Sequence, residues 1–140
     1  MRIAHITITI VIASVAATLA GCAPLLRTGC ATGEEALIHD TLYFGTGKPR
    51  GGMVTPAEWS EFLKSAVTPR FPQGLTVSPA SGQWRGADGA IVQEASQVLQ
   101  LIHPDDDASE NAVQVLVAVY KAQFEQEAVL RVKARTCVSF

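Results

Sequence analysis

The sequence predicts an α+β sandwich: one four-stranded antiparallel sheet with two helices packed on one of its faces. Three observations carry this. Period-two alternation runs over residues 40–45 and 127–140, as half-buried strands require. Two stretches with apolar residues at helical spacing open at Thr55 and near Asp107. The resulting order, βαββαβ, leaves each helix one apolar stripe, and one side of a single sheet is the simplest place to bury both.

The chain opens with Arg2 and then an almost unbroken apolar run over residues 3–19, leading to Leu19-Ala20-Gly21-Cys22. Charge, apolar run and small residues follow one another as in an export signal. The Leu-Ala-Gly-Cys order resembles the lipobox of bacterial lipoproteins. That resemblance implies cleavage before Cys22, thioether lipidation of its sulfur and acylation of the new amino group. Two or more acyl chains make a stable anchor, at roughly 0.8 kcal/mol per buried methylene. Ala23, where the family uses Asp for inner-membrane retention, implies sorting to the outer membrane, facing the periplasm. An uncleaved transmembrane helix and plain secretion are the alternatives; the apolar run is near the lower limit of a span, ~17–25 residues.

Residues 1–21 are thus expected to be a signal peptide, 22–38 a tether and 39–140 a single domain. The mature chain would keep 119 of 140 residues, one domain's worth. The positive mean hydropathy, +0.21, owes part of its value to the signal peptide. A net charge of −2 gives no electrostatic footprint for nucleic acid, and none is expected as a partner.

With Cys22 consumed by lipid, Cys30 and Cys137 are left as an even pair in an oxidising compartment. We expect them to be bridged, with two unpaired thiols as the alternative. Two cysteines without a nearby histidine pair make a poor zinc set.

Residues 40–45 read as the first strand, with Leu42 and Phe44 on one face and Thr41 and Tyr43 on the other. Gly45-Thr46-Gly47-Lys48-Pro49-Arg50-Gly51-Gly52 follows. It fails as a P-loop because Lys48 precedes proline, and it fails as a dinucleotide turn because Arg50 stands where the third glycine belongs. It is expected to be a mobile loop, with an anion site as the alternative.

Thr55-Pro56-Ala57-Glu58 has the form of a capping box with proline at the first helical position. Trp59, Phe62, Leu63, Ala66 and Val67 make that helix's stripe, and Pro69 and Pro72 end it. Residues 74–85 read as a second strand bent at Pro79, 86–89 as an Asp-Gly turn, and Ile91–His103 as a third strand. A helix over part of this last stretch is the competing reading.

The run His103-Pro104-Asp105-Asp106-Asp107 looks metal-binding but fails as a calcium loop: Glu110 holds the glycine position and Leu116 the closing glutamate. It reads instead as the acidic start of the second helix, capped by Asp107 or Ser109. In the last strand Leu130, Val132, Ala134, Thr136 and Val138 alternate with Arg131, Lys133, Arg135, Cys137 and Ser139. Together these elements predict a ferredoxin-like sandwich.

Leu42-Tyr43-Phe44-Gly45, Thr68-Pro69-Arg70-Phe71-Pro72, Gly82-Gln83-Trp84-Arg85, Ile102-His103-Pro104-Asp105 and Cys137-Val138-Ser139-Phe140 resemble a bacterial envelope family filed as a domain of unknown function, over about residues 40–140. The resemblance implies no reaction, ligand or catalytic residue.

Three functions compete: a membrane-tethered binding module, a small enzyme of the dimeric ferredoxin-like type, and a purely structural lipoprotein. No Gly-x-Ser-x-Gly or His-Glu-x-x-His occurs, and no cofactor is expected. Candidate site residues are Tyr43, Trp84, Arg131 and Lys133, with Arg70, Arg85, Glu94 and His103 behind them. His103 is the candidate acid–base group, and Glu94 is expected opposite Arg85. If Leu42, Phe44, Leu130 and Val132 meet the helices, Tyr43 and the cations Arg131, Lys133 and Arg135 share the open face. An envelope protein or a second copy would be the partner.

Overall fold

The computed structural model describes residues 29–85 and 89–140. The expected signal peptide over 1–21, the expected lipidation at Cys22 and most of the expected turn over 86–89 lie outside them.

The elements are β1 (Glu35–Gly45), α1 (Pro56–Phe62) with a π-helical continuation (Leu63–Val67), β2 (Thr76–Arg85), β3 (Ile91–His103), α2 (Asp107–Phe124) and β4 (Leu130–Val138). The strands form one antiparallel sheet in the order β2-β3-β1-β4, with both helices on one face. This is the expected ferredoxin-like α+β sandwich. β1 begins at Glu35, five residues before the expected start, because Ala36 and Leu37 find partners in Cys137 and Thr136. Residues 91–103 are a strand throughout, which removes the helical alternative.

Leu42 and Phe44 from β1 and Leu99 and Leu101 from β3 meet Trp59 and Phe62 of α1 and Val113, Leu116, Tyr120 and Phe124 of α2. The centre is aromatic: Phe44 lies 4.6 Å from Tyr120 edge-on, and Phe62 lies 5.1 Å from it. Burial pushes the Tyr120 phenol up, with help from the charges of Glu94 and Glu58. Its hydroxyl donates to the Gly45 carbonyl at 2.9 Å, so α2 is fixed to the end of β1 by a directional bond as well as by area.

The capping box is as the sequence predicts. Thr55 Oγ1 accepts from Glu58 N at 3.2 Å, and Glu58 Oε2 accepts from Thr55 N at 2.8 Å. A hydrogen bond from Lys48, and then those from Thr55, bring the Glu58 carboxyl down to about 2. Thr55→Ala is expected to cost about 1 kcal/mol of unfolding free energy; an unchanged denaturation midpoint would count against the cap.

Asp106, rather than Asp107 or Ser109, caps α2: its carboxylate accepts from Ser109 N at 2.7 Å. The glycine-rich loop, expected to be mobile, is tied at three points. Gly47 bridges to Met53, Lys48 pairs with Glu58 at 2.7 Å and Arg50 pairs with Glu125.

Candidate functional site

The first correction concerns β4. Its alternation is as read, but its faces are reversed. Leu42 stands opposite Arg131, Asp40 opposite Lys133 and Ile38 opposite Arg135, so the three cations lie on the helix side. The reason is electrostatic. Asp40 shares the core-facing side of β1 with Leu42 and Phe44 and has no accessible surface; a buried carboxylate needs a cation. Arg131 supplies it, with Nε at 2.8 Å from Oδ1 and Nη2 at 2.6 Å from Oδ2. The same guanidinium grips Glu110 of α2 at 2.6 Å, and Lys133 joins Glu110 at 2.9 Å. Arg135 pairs with Asp105.

Burial alone would raise the Asp40 carboxyl, but hydrogen bonds from Arg131 and His103 outweigh it and hold the group below the usual range. Glu110 is lowered by Arg131 first and Lys133 second, and Arg131 is raised by Asp40 and then Glu110. The expected placement of Arg131 and Lys133 beside Tyr43 therefore fails. Both cations are engaged between strand and helix.

His103 belongs to the same network. Its Nε2 lies 2.8 Å from Asp40 Oδ2 and its Nδ1 lies 2.7 Å from the Pro104 carbonyl. Both ring nitrogens face protein acceptors, and the ring is buried. Glu94 does not face Arg85. Gly82 stands opposite Glu94, while Arg85 stands opposite Ile91 on the other side of the sheet. The Glu94 carboxylate instead accepts from Gly47 N at 3.0 Å across Gly45, where a Cβ would come within 2.6 Å of it.

The reversal puts exposed apolar side chains on the other sheet face. Tyr43 stands opposite Val98 and Leu130, and Thr41 opposite Val132. Leu130 is 61% exposed, Val132 50% and Trp84 55%. Among the described residues no helix lies over this face, and its strands place no lysine or arginine on it.

Two features give the face direction. At one end β2 and β3 run past β1: pairing with β1 stops at Gly45–Ser96, whereas β2 and β3 pair on to Arg85–Ile91. This two-stranded arm carries Trp84 directly opposite Val92. At the other end lies a groove of about 890 Å³, lined by Leu37, His39, Arg70, Phe71, Ile102 and Phe140 among others. The sequence reading missed His39, which shares the face with Thr41 and Tyr43 by simple alternation.

Cys30 and Cys137 are bridged, with Cα atoms 5.5 Å apart, as the leftover pair suggested. Glu34 lies close to both sulfurs, but these are spent on each other.

Residues 39–140 match the family described as protein of unknown function, DUF3574. The chain belongs to that family. No curated protein matches it in sequence. Among solved structures, a phage SAM lyase in complex with S-methyl-5'-thioadenosine is similar at 15% identity and a TM-score of 0.54, over 82% of this chain and 96% of that one. CutA from Synechococcus elongatus is similar at 16% identity and a TM-score of 0.52, over 76% and 83%. At such identities the likeness is one of fold, and function must be argued from the site.

Proposed function

We propose that this DUF3574 chain is a lipid-anchored module of the bacterial envelope that works by binding through the open face of its sheet. The observation that carries the reading is the face itself. An exposed apolar cluster of Tyr43, Leu130 and Val132, with Ile102 further along the same face, is costly to leave in water and is characteristic of a contact surface. The lipobox supplies the anchor. Cys30 lies eight positions after Cys22, so a lipid on Cys22 would hold the bridged end of the sheet within about 27 Å of the bilayer.

The test has two parts. Intact mass of the membrane-extracted chain should show acyl mass on a polypeptide that starts at Cys22, and Cys22→Ser should release the protein from the membrane. A photo-crosslinking residue at Val132 should give a protein adduct in intact cells, whereas one at Lys64, on the helix side, should give none. Membrane attachment that survives Cys22→Ser overturns the anchor. Equal adducts, or none, from the two positions overturn the face.

A further inference from the structure

We propose that the occupant of the open face is a second copy of this chain, related by a two-fold axis, with Trp84 of each arm seated in the groove of the other. This rests on the reading of the open face as the working surface and names its partner.

Charge comes first. A surface that docks on its own copy must not repel itself, and isologous contacts place each residue beside its two-fold mate's neighbours. The strands put no lysine or arginine on this face, and a two-fold crossing β3 near Gln97 sets Glu94 of one copy over Gln100 of the other rather than over a carboxylate. An anionic membrane would instead call for lysines and arginines. Arg131, Lys133 and Arg135 lie on the far side, already paired with carboxylates.

Area is sufficient. Four strands about 4.8 Å apart, nine residues long as in β4 and rising about 3.3 Å per residue, present roughly 570 Å². Two such faces bury upwards of about 1,100 Å² before the arms are added, past the ~1,000 Å² that a specific interface needs.

The arm and the groove fix the arrangement. A lone two-stranded ribbon is marginal in water, yet this one runs five residue pairs past β1, from Ser81–Ala95 to Arg85–Ile91. It carries a half-exposed tryptophan on the same side as the open face. The groove lies at the opposite end of the same strands, by Gln100 and Ile102 of β3 and the start of β2. Val92, beside Trp84, and Ile102 are ten residues apart on β3, about 33 Å.

A two-fold axis in the plane of the interface, perpendicular to the strands and crossing β3 near Gln97, exchanges the two ends. It lays each arm over the other copy's groove and brings the two exposed Tyr43 side chains together near the centre. An aromatic anchor in a pocket is the usual form of an interface hot spot.

The test uses the full chain in its membrane. A benzophenone amino acid replacing Trp84 keeps an aromatic ring on the arm. On irradiation it should link to a second copy, with the adduct mapping to residues 69–76 or 100–104. The extracted chain should sediment, at matched detergent density, with twice the protein mass. Trp84→Ala should shift that mass to a single chain while the far-ultraviolet circular dichroism spectrum stays that of the folded wild type, and Lys64→Glu should leave it doubled. A single-chain mass for the wild type, a doubled mass for Trp84→Ala, or adducts elsewhere on the copy would each overturn the proposal. An adduct with a different protein would overturn the second copy but keep the face. No adduct from Trp84, Tyr43 or Val132 would remove both.

Discussion

Asp40→Asn should destabilise the domain by about 3–5 kcal/mol near neutral pH, the usual cost of removing one partner from a buried ion pair. The carboxylate has no accessible surface and takes two hydrogen bonds from Arg131 and one contact from His103. An asparagine of the same size offers one oxygen where two were used, and it turns N–H groups toward a guanidinium.

The pH dependence follows. A carboxyl whose folded pKa lies below its unfolded value stabilises fully above the unfolded value and loses that contribution as pH falls through the folded one. Asp40 is lowered from 3.8, Glu110 from 4.5, and Glu58 from 4.5 to about 2. Wild-type stability should therefore be level above about pH 5 and fall from about 4.5 to 2 and below. Asp40→Asn should be less stable on the plateau and shallower on the slope. Urea denaturation at a series of pH values decides this. A variant with the wild-type midpoint at pH 7, or with an unchanged acid slope, would show that Asp40 is not the anchor of the network.

The same residue explains where the sequence was legible and where it was not. Local signals are strong when one residue's chemistry decides them. Thr55 and Glu58 cap α1 because a free amide needs an oxygen, and Tyr43 alternates with Phe44 because a strand has period two. Which face of β4 turns inward is a non-local question. Leu130 and Val132 are apolar, so burial alone would turn them toward the helices. The buried charge of Asp40 and the carboxylate of Glu110 outweigh that preference. The signal was available in one residue: Asp40 lies in phase with Ile38, Leu42 and Phe44, so a carboxylate on the core face required a cation from a neighbouring strand. The start of β1 was hidden for a related reason. Residues 35–38 gain their strand character from β4, which lies almost a hundred residues away in sequence. The π-helical turn at Leu63–Val67 has no sequence signature that period counting would find.

Breaking the bridge between Cys30 and Cys137 should carry the other large effect. The two residues are 107 apart in sequence, so the bond closes nearly the whole domain into one loop. In the chain-entropy account a loop of that size stabilises by about 4–5 kcal/mol, by restricting the unfolded chain. The fold adds a local reason for a large effect. Among the described residues β4 pairs only with β1, and its outward side is largely apolar and exposed. Its inward side is held by ion pairs to Asp40, Glu110 and Asp105, of which the outer ones are partly exposed and individually weak. The bridge fastens the C-terminal end of β4 next to the place where Ala36 pairs with Cys137. Cys137→Ser should therefore lower the denaturation midpoint by an amount equal to several kcal/mol, and amide exchange should quicken first along β4 and the first residues of β1. Charged residues on the helix side should feel it too: with β4 loosened, Arg131 holds Asp40 less firmly, and the acid transition should move to higher pH. A Cys137→Ser protein that keeps its midpoint within about 1 kcal/mol of the wild type, with β4 amides as protected as before, would show that the ion pairs alone hold the strand.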